Sequence, residues 1–97
     1  MLVAVERFDL RIRSVHSLKQ KRHVVKTLSA ALRQRFGVTV AEVDHHDLWQ
    51  RATIAVAAVG HEEFHLRRVL HEVEKLVDRW ADVEVIDSEL SVLDPDD

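Results

Sequence analysis

Residues 37–60 read GVTVAEVDHHDLWQRATIAVAAVG, and this stretch decides the fold. Val38 to Val43 alternates apolar with polar, a polar junction follows, and Ala52 to Val59 is apolar on both parities. Two such runs joined by a short polar connection predict a hairpin, and the second run reads as a central strand covered on both faces. Upstream, Gly37 supplies the stop of a helix that Ser17 opens, with Gln20 three residues later completing a capping-box pattern. The apolar stripe of that helix is Leu18, Val25, Leu28, Leu32 and Phe36. Downstream, Glu62 to Trp80 predicts a second helix through Leu66, Val69, Leu70, Val73, Leu76, Val77 and Trp80, and Val83 to Leu90 a closing strand. The opening strand, residues 2–13, changes phase: Val3 and Val5 lead, then Phe8, Leu10 and Ile12 continue on the other parity. A bulge near Glu6 and Arg7, or a start covered on both faces, is expected. The order βαββαβ predicts an α+β, ferredoxin-like sandwich, a four-stranded antiparallel sheet with two helices on one face. All 97 residues fit a single domain, with 91–97 read as a polar tail.

Helices on one side leave the other face of the sheet open. Because the strand over 52–59 is apolar there too, a homodimer is expected across that face or along an adjacent sheet edge, through some of Val3, Val5, Ala55, Ala57 and Val59.

The net charge of −3 hides an asymmetry. Residues 1–36 carry nine basic side chains against Glu6 and Asp9, a local +7, and residues 37–97 carry five against fifteen acids, a local −10. A basic segment on a mildly acidic chain is a hint of contact with a polyanion. On the first helix Lys19, Arg22, Lys26 and Arg33 fall within about a 60° arc, off the apolar stripe. Lys19, Lys21 and Arg22 crowd the first turns, where the helix dipole disfavours cations by about 0.3–1 kcal/mol each. An anion on the N-terminal amides, held also by Arg13, His16 and Ser17, would reverse that penalty. A solvated basic face that only aids solubility is the competing reading.

The junction Asp44-His45-His46-Asp47-Leu48-Trp49-Gln50-Arg51 mixes carboxylate, imidazole, indole, amide and guanidinium, the groups that recognition surfaces use. Asp44, His45, Asp47, Trp49, Gln50 and Arg51 are the candidate recognition residues. Successive strand residues alternate faces, so the run does not converge on one metal ion. His61-Glu62-Glu63-Phe64-His65 matches a zinc-hydrolase pattern, but His61 sits at the expected helix cap and the chain has no room for a second subdomain. No glycine-rich phosphate loop, catalytic triad or paired carboxylates emerge, so neither catalysis nor a cofactor is expected. The strand over 52–59 lacks the aromatics of an RNA-recognition motif. With no cysteine, no signal-like segment and no membrane-length apolar run, a cytoplasmic protein without membrane contact is expected.

Together, His16-Ser-Leu-Lys-Gln-Lys-Arg22 and Asp44-His-His-Asp-Leu-Trp-Gln-Arg-Ala52 resemble the YlxP-like family of small bacterial proteins of uncharacterised function, with similarity from the opening strand to about Leu90. The family pattern carries Gln where this chain has His46, so no role is assigned to that side chain. The resemblance implies a ferredoxin-like fold and genetic company with transcription-elongation, translation-initiation and ribosome-maturation factors. The expected function is a non-enzymatic RNA-binding or ribosome-associated factor, its partner RNA or the small ribosomal subunit. Phosphates would be met by Arg13, His16, Ser17, Lys19, Lys21, Arg22, Lys26 and Arg33. The alternatives are a homodimeric adaptor for an acidic protein and, further off, a small phosphate-handling or metal-dependent enzyme.

Overall fold

Ser17 caps the first helix as its sequence requires: its backbone is extended and its hydroxyl accepts from the Gln20 N–H at 3.1 Å. The Gln20 side chain reaches back one residue beyond the usual box and accepts from the His16 N–H at 2.7 Å. Gly37 ends the helix at φ 65°, its N–H donating to the Arg33 carbonyl at 2.9 Å, a left-handed geometry that costs glycine no Cβ clash. The computed structural model describes residues 1–97 and sets out β1 (Leu2–Ile12), α1 (Leu18–Phe36), β2 (Thr39–Asp44), β3 (Arg51–Gly60), α2 (Glu63–Arg79) and β4 (Val83–Leu93). The strands form one antiparallel sheet in the order β2-β3-β1-β4. This is the expected ferredoxin-like arrangement.

Both helices press on one face of that sheet. Ala4, Phe8, Leu10 and Ile12 of β1 and Ala52, Ile54 and Val56 of β3 meet Val25, Leu28 and Leu32 of α1 and Leu66, Leu70, Val73 and Val77 of α2. Fully burying one such aliphatic or aromatic side chain contributes about 1.5–3 kcal/mol, so this layer is the main source of stability.

The opening strand departs from expectation. Its pairing with β3 runs without interruption from Leu2↔Gly60 to Arg11↔Arg51, so there is no bulge at Glu6 and Arg7. The even residues Ala4 to Ile12 all face the helices, Glu6 among them, and Val3 and Val5 face the open side. The register shifts lie elsewhere: Ile86 is the extra residue of β4 opposite Asp9 and Leu10, and Val43 the extra residue of β2 opposite Ile54 and Thr53. Both bulged side chains are exposed. β4 also runs three residues past Leu90, so the polar tail begins at Asp94 rather than at residue 91. Asp96 is tied back to the Met1 amine at 3.0 Å.

Glu6 is 1% exposed, and its Oε1 is buried without a partner. Burial, a shared hydrogen bond with Glu74 and repulsion from that second carboxylate push its pKa from 4.5 to about 9. Glu74 in turn lies 3.4 Å from the His71 ring. The sequence offered no paired carboxylates; the fold makes one, between β1 and α2. A folded-state pKa raised above the unfolded value means the folded protein holds the extra proton. Stability from this group is therefore full below about pH 4.5 and declines as pH rises toward about 9, by up to about 1.4 kcal/mol per unit. Glu6→Gln is expected to be more stable than the parent by at least about 1 kcal/mol at pH 8–9, with a flatter profile. Urea midpoints at acid, neutral and alkaline pH measure it; parallel profiles for the two proteins would refute the pair.

Candidate nucleic-acid interface

Three loops meet at one end of the sheet: β1–α1 (13–17), β2–β3 (45–50) and α2–β4 (80–82). The Ile12 N–H donates to the Gln50 carbonyl at 2.9 Å and the Arg13 N–H to the Asp82 carbonyl at 2.7 Å, which binds the first loop to both others. The only non-glycine residues with left-handed backbone, Ser14 (φ 61°), His45 (φ 63°) and Asp82 (φ 65°), all lie here. Such conformations cost roughly 1–3 kcal/mol each and persist only where surroundings over-determine them, which is typical of functional surfaces.

The two segments singled out in the sequence thus come together. His16 and Trp49 pack edge to face, ring centroids 6.3 Å apart, and the Trp49 indole remains 41% exposed. Ser17, Lys19 and Gln20 join Ser14, His23 and Asp82 around a cleft of about 560 Å³ at the N-terminus of α1. Asp44 uses its carboxylate locally, accepting from the His45 N–H at 2.7 Å. Asp47, Gln50 and Trp49 are exposed, and Arg51 begins β3 beside them.

Two of the expected phosphate-binding residues are placed otherwise. Lys21 is 0% exposed and cannot meet a phosphate. Its ammonium lies 2.5 Å from Glu42 Oε2 and donates to the His45 carbonyl at 3.0 Å and, at 3.5 Å, to that of His46. The physical reason is spacing: position 21 fills the gap between Leu18 and Val25 in the buried stripe, and Glu42 sits on the helix-facing parity of β2 opposite Ile54. Lys21 is the peg that holds the β2–β3 loop to α1. Arg33 lies far along the helix, where its guanidinium donates to the Val40 carbonyl at 2.6 Å and so is turned to the sheet edge. Lys19, Arg22 and Lys26 stay exposed with no carboxylate in ion-pair reach, on a helix that contains no acidic residue.

A network missed by the sequence reading supports the β2–β3 loop from the open sheet face. His45 Nδ1 lies 2.9 Å from Thr53 Oγ1, whose hydroxyl donates to Asp9 Oδ1 at 2.8 Å. Arg7 bonds the other Asp9 oxygen and reaches Asp87 at 3.3 Å. Burial raises the Asp9 pKa, but the bonds from Thr53 and Arg7 outweigh it and hold the carboxyl below its ordinary value. The parity of Asp9 and Thr53 was visible, since both fall on the open-face register; their pairing with each other needed the alignment of β1 with β3. α2 begins at Glu63, which leaves His61 outside the helix, where it lines a hollow of about 280 Å³ with Gly60, Glu62 and His65.

By fold this is a ferredoxin-like sandwich, and its loop end presents cations, an exposed indole and a hydrogen-bonding cleft. The family described as "Protein of unknown function (DUF503)" matches residues 3–90, and the chain belongs to it. A curated relative, the uncharacterised protein YlxP of Bacillus subtilis (strain 168), is 31% identical over 68 residues, covering 70% of this chain and 74% of the relative. The YlxP-like resemblance is therefore shown. Among solved structures, a structural-genomics protein, YJCS, superposes with a TM-score of 0.59 at 16% identity, covering 95% of this chain and 99% of that one. The de novo designed protein Foldit4 superposes at 0.58 and 12% identity, covering 97% and 98%. A candidate antibiotic biosynthesis monooxygenase from Deinococcus radiodurans reaches 0.53 at 18%, covering 100% and 94%. At these identities the likeness is one of fold alone, as the match to a designed chain makes plain. No helix of the chain is long and apolar enough to cross a membrane.

Proposed function

We propose that this protein is a non-enzymatic RNA-binding factor that meets phosphates along Lys19, Arg22 and Lys26 and at the adjoining loop end, in keeping with a ribosome-associated role. The observation that carries this is the unpaired basic ridge on an acid-free helix, opening onto a strained, cation-bearing loop cluster. A helix shaped only for stability would carry carboxylates in its first turn; α1 has none there and places Lys19 instead. Phosphate contact of this kind is sequence-independent, and the exposed Trp49 beside Gln50 and Arg51 offers the stacking and hydrogen-bonding groups that add preference. The test is association with small ribosomal subunits and with protein-free ribosomal RNA at low salt, each repeated after nuclease treatment. Nuclease-sensitive binding is expected. Absence of binding at low salt, or partners that all survive nuclease, would refute the reading and favour an adaptor for an acidic protein.

A second copy of the chain is proposed to cover the open sheet face. Val3 pairs with Val59 and Val5 with Ala57 across the strands, Ala55 lies beside them, and no element of the chain covers them: Val59 is 68% exposed. Beside that apolar end the same face carries charges of both signs, Arg7 with Asp9, Asp87 and Glu89, so a two-fold related copy finds both cations and carboxylates to pair with. RNA would meet those carboxylates unfavourably there. A dimeric mass is expected at tens of micromolar, and Ala57→Glu is expected to yield a folded monomer. A monomeric parent, or a variant that stays dimeric, would contradict it.

A further inference from the structure

We propose that the hollow between Arg11, Arg13 and Arg51 is a site for one terminal phosphate, the phosphomonoester of a nucleotide or of an RNA end. It encloses about 410 Å³, and Arg11, Ile12, Arg13, Ser14, Gln50 and Arg51 line it. Arg11 and Arg51 are direct cross-strand partners in the β1–β3 register. Like charges in that relation repel, so the pairing is unfavourable unless an anion lies between them. The countercharge within the chain is incomplete. Glu84 alone serves both Arg11, at 3.6 Å, and Arg13, at 3.2 Å. Arg51 makes no ion pair, and its Nε is buried without any hydrogen-bond partner. The negative field of Asp9 reaches Arg51, but the two Asp9 oxygens are taken by Thr53 and Arg7.

Three guanidiniums face one carboxylate in ion-pair reach, and the Asp9 charge is shared with Arg7, so the hollow keeps a positive excess. A phosphomonoester carries about −1.5 to −2 at pH 7, whereas a backbone diester carries −1, so a terminal phosphate gains more from that excess than a diester does. The planar guanidinium fork fits phosphate oxygens in pairs, and the Ser14 hydroxyl and Gln50 amide add neutral donors on the wall. Ser14 also lines the cleft at the start of α1, so a chain whose end sits in the hollow continues toward Lys19. This choice of an RNA end as one source rests on the proposed RNA reading; the hollow itself does not.

The test compares short RNA oligonucleotides bearing a 5′-phosphate or a 5′-hydroxyl, and separately adenosine monophosphate with adenosine. The phosphorylated oligonucleotide is expected to bind about tenfold more tightly. Arg51→Gln is expected to erase that ratio, with Arg13→Gln, at an exposed position, as the second variant should the first fail to fold. Lys19→Ala with Arg22→Ala is expected to weaken both oligonucleotides while preserving the ratio. Phosphate-dependent binding of the mononucleotide without a preference between the oligonucleotides supports the hollow and assigns it to free nucleotides. The same result with no RNA binding at all keeps the hollow and removes the RNA function. Equal affinity for both oligonucleotides together with no mononucleotide binding overturns the proposal and leaves the ridge reading untouched. A preference that survives both arginine variants overturns the location.

Discussion

Replacing Lys21 with methionine is expected to lower the free energy of unfolding by about 3–5 kcal/mol at neutral pH, the range found when one partner of a buried ion pair is removed. Against the roughly 5–15 kcal/mol that holds a domain of this size together, the loss is large. The substitution keeps the side chain's length and apolar stem, so packing in the stripe of Leu18, Val25, Leu28 and Leu32 changes little. What it removes is the only cation beside the Glu42 carboxylate and the donor to the His45 and His46 carbonyls. Replacing both partners, Lys21→Met with Glu42→Met, is expected to recover part of the loss, because an apolar pair leaves no charge behind; the two carbonyls stay without their donor, so recovery is incomplete. Urea unfolding of the parent, both single variants and the double variant gives the coupling directly. Losses below about 1 kcal/mol for Lys21→Met would show that its ammonium finds water instead, and the buried peg would be wrong.

Charge reversal of the ridge, Lys19→Glu with Arg22→Glu and Lys26→Glu, is expected to reduce RNA affinity at least about a hundredfold near physiological salt, since three phosphate contacts become repulsive. None of the three side chains is buried or paired, so the fold should survive. New acids near the start of α1 even agree with the helix dipole. The matched control reverses Arg67, Arg68 and Arg79 on α2, giving the same change in net charge on a different surface. Similar losses in both variants would mean that affinity tracks total charge and not the ridge. A large loss in the first alone supports the interface, and normal binding in the first contradicts it.

Most of the fold was written in local chemistry. Ser17, Gln20 and Gly37 delimit α1 through their own hydrogen bonds and backbone angle, and the parity of Ala52 to Val59 places β3 at the sheet's centre. What stayed hidden were charged residues at core parity. Hydrophobic periodicity counts Glu6 as a break in β1 and Lys21 as surface, though both occupy inward positions and meet groups distant in sequence: Glu74 for the first, Glu42 for the second. The signal was present as a pair of opposite charges, Lys21 in a helical stripe and Glu42 on a strand's inward parity. It becomes legible only when α1 is laid on β2. The bulges at Val43 and Ile86 had no local mark, because a register shift belongs to two strands at once. Of the candidate site, the residue types were visible in both segments, but their meeting through Ile12, Gln50, Arg13 and Asp82 is tertiary.

The most direct test of phosphate recognition is the salt dependence of binding between the parent protein and small-subunit ribosomal RNA. With Lys19, Arg22 and Lys26 each meeting a phosphate and the Arg11, Arg13 and Arg51 hollow meeting one more, at about 0.7–0.9 counterion each, the logarithm of the association constant should fall against the logarithm of salt with a slope of roughly −3 to −4. Converting Lys19, Arg22 and Lys26 to alanine should bring the slope to about −1. No binding at the lowest salt, or a slope that the alanine variant leaves unchanged, would contradict the account.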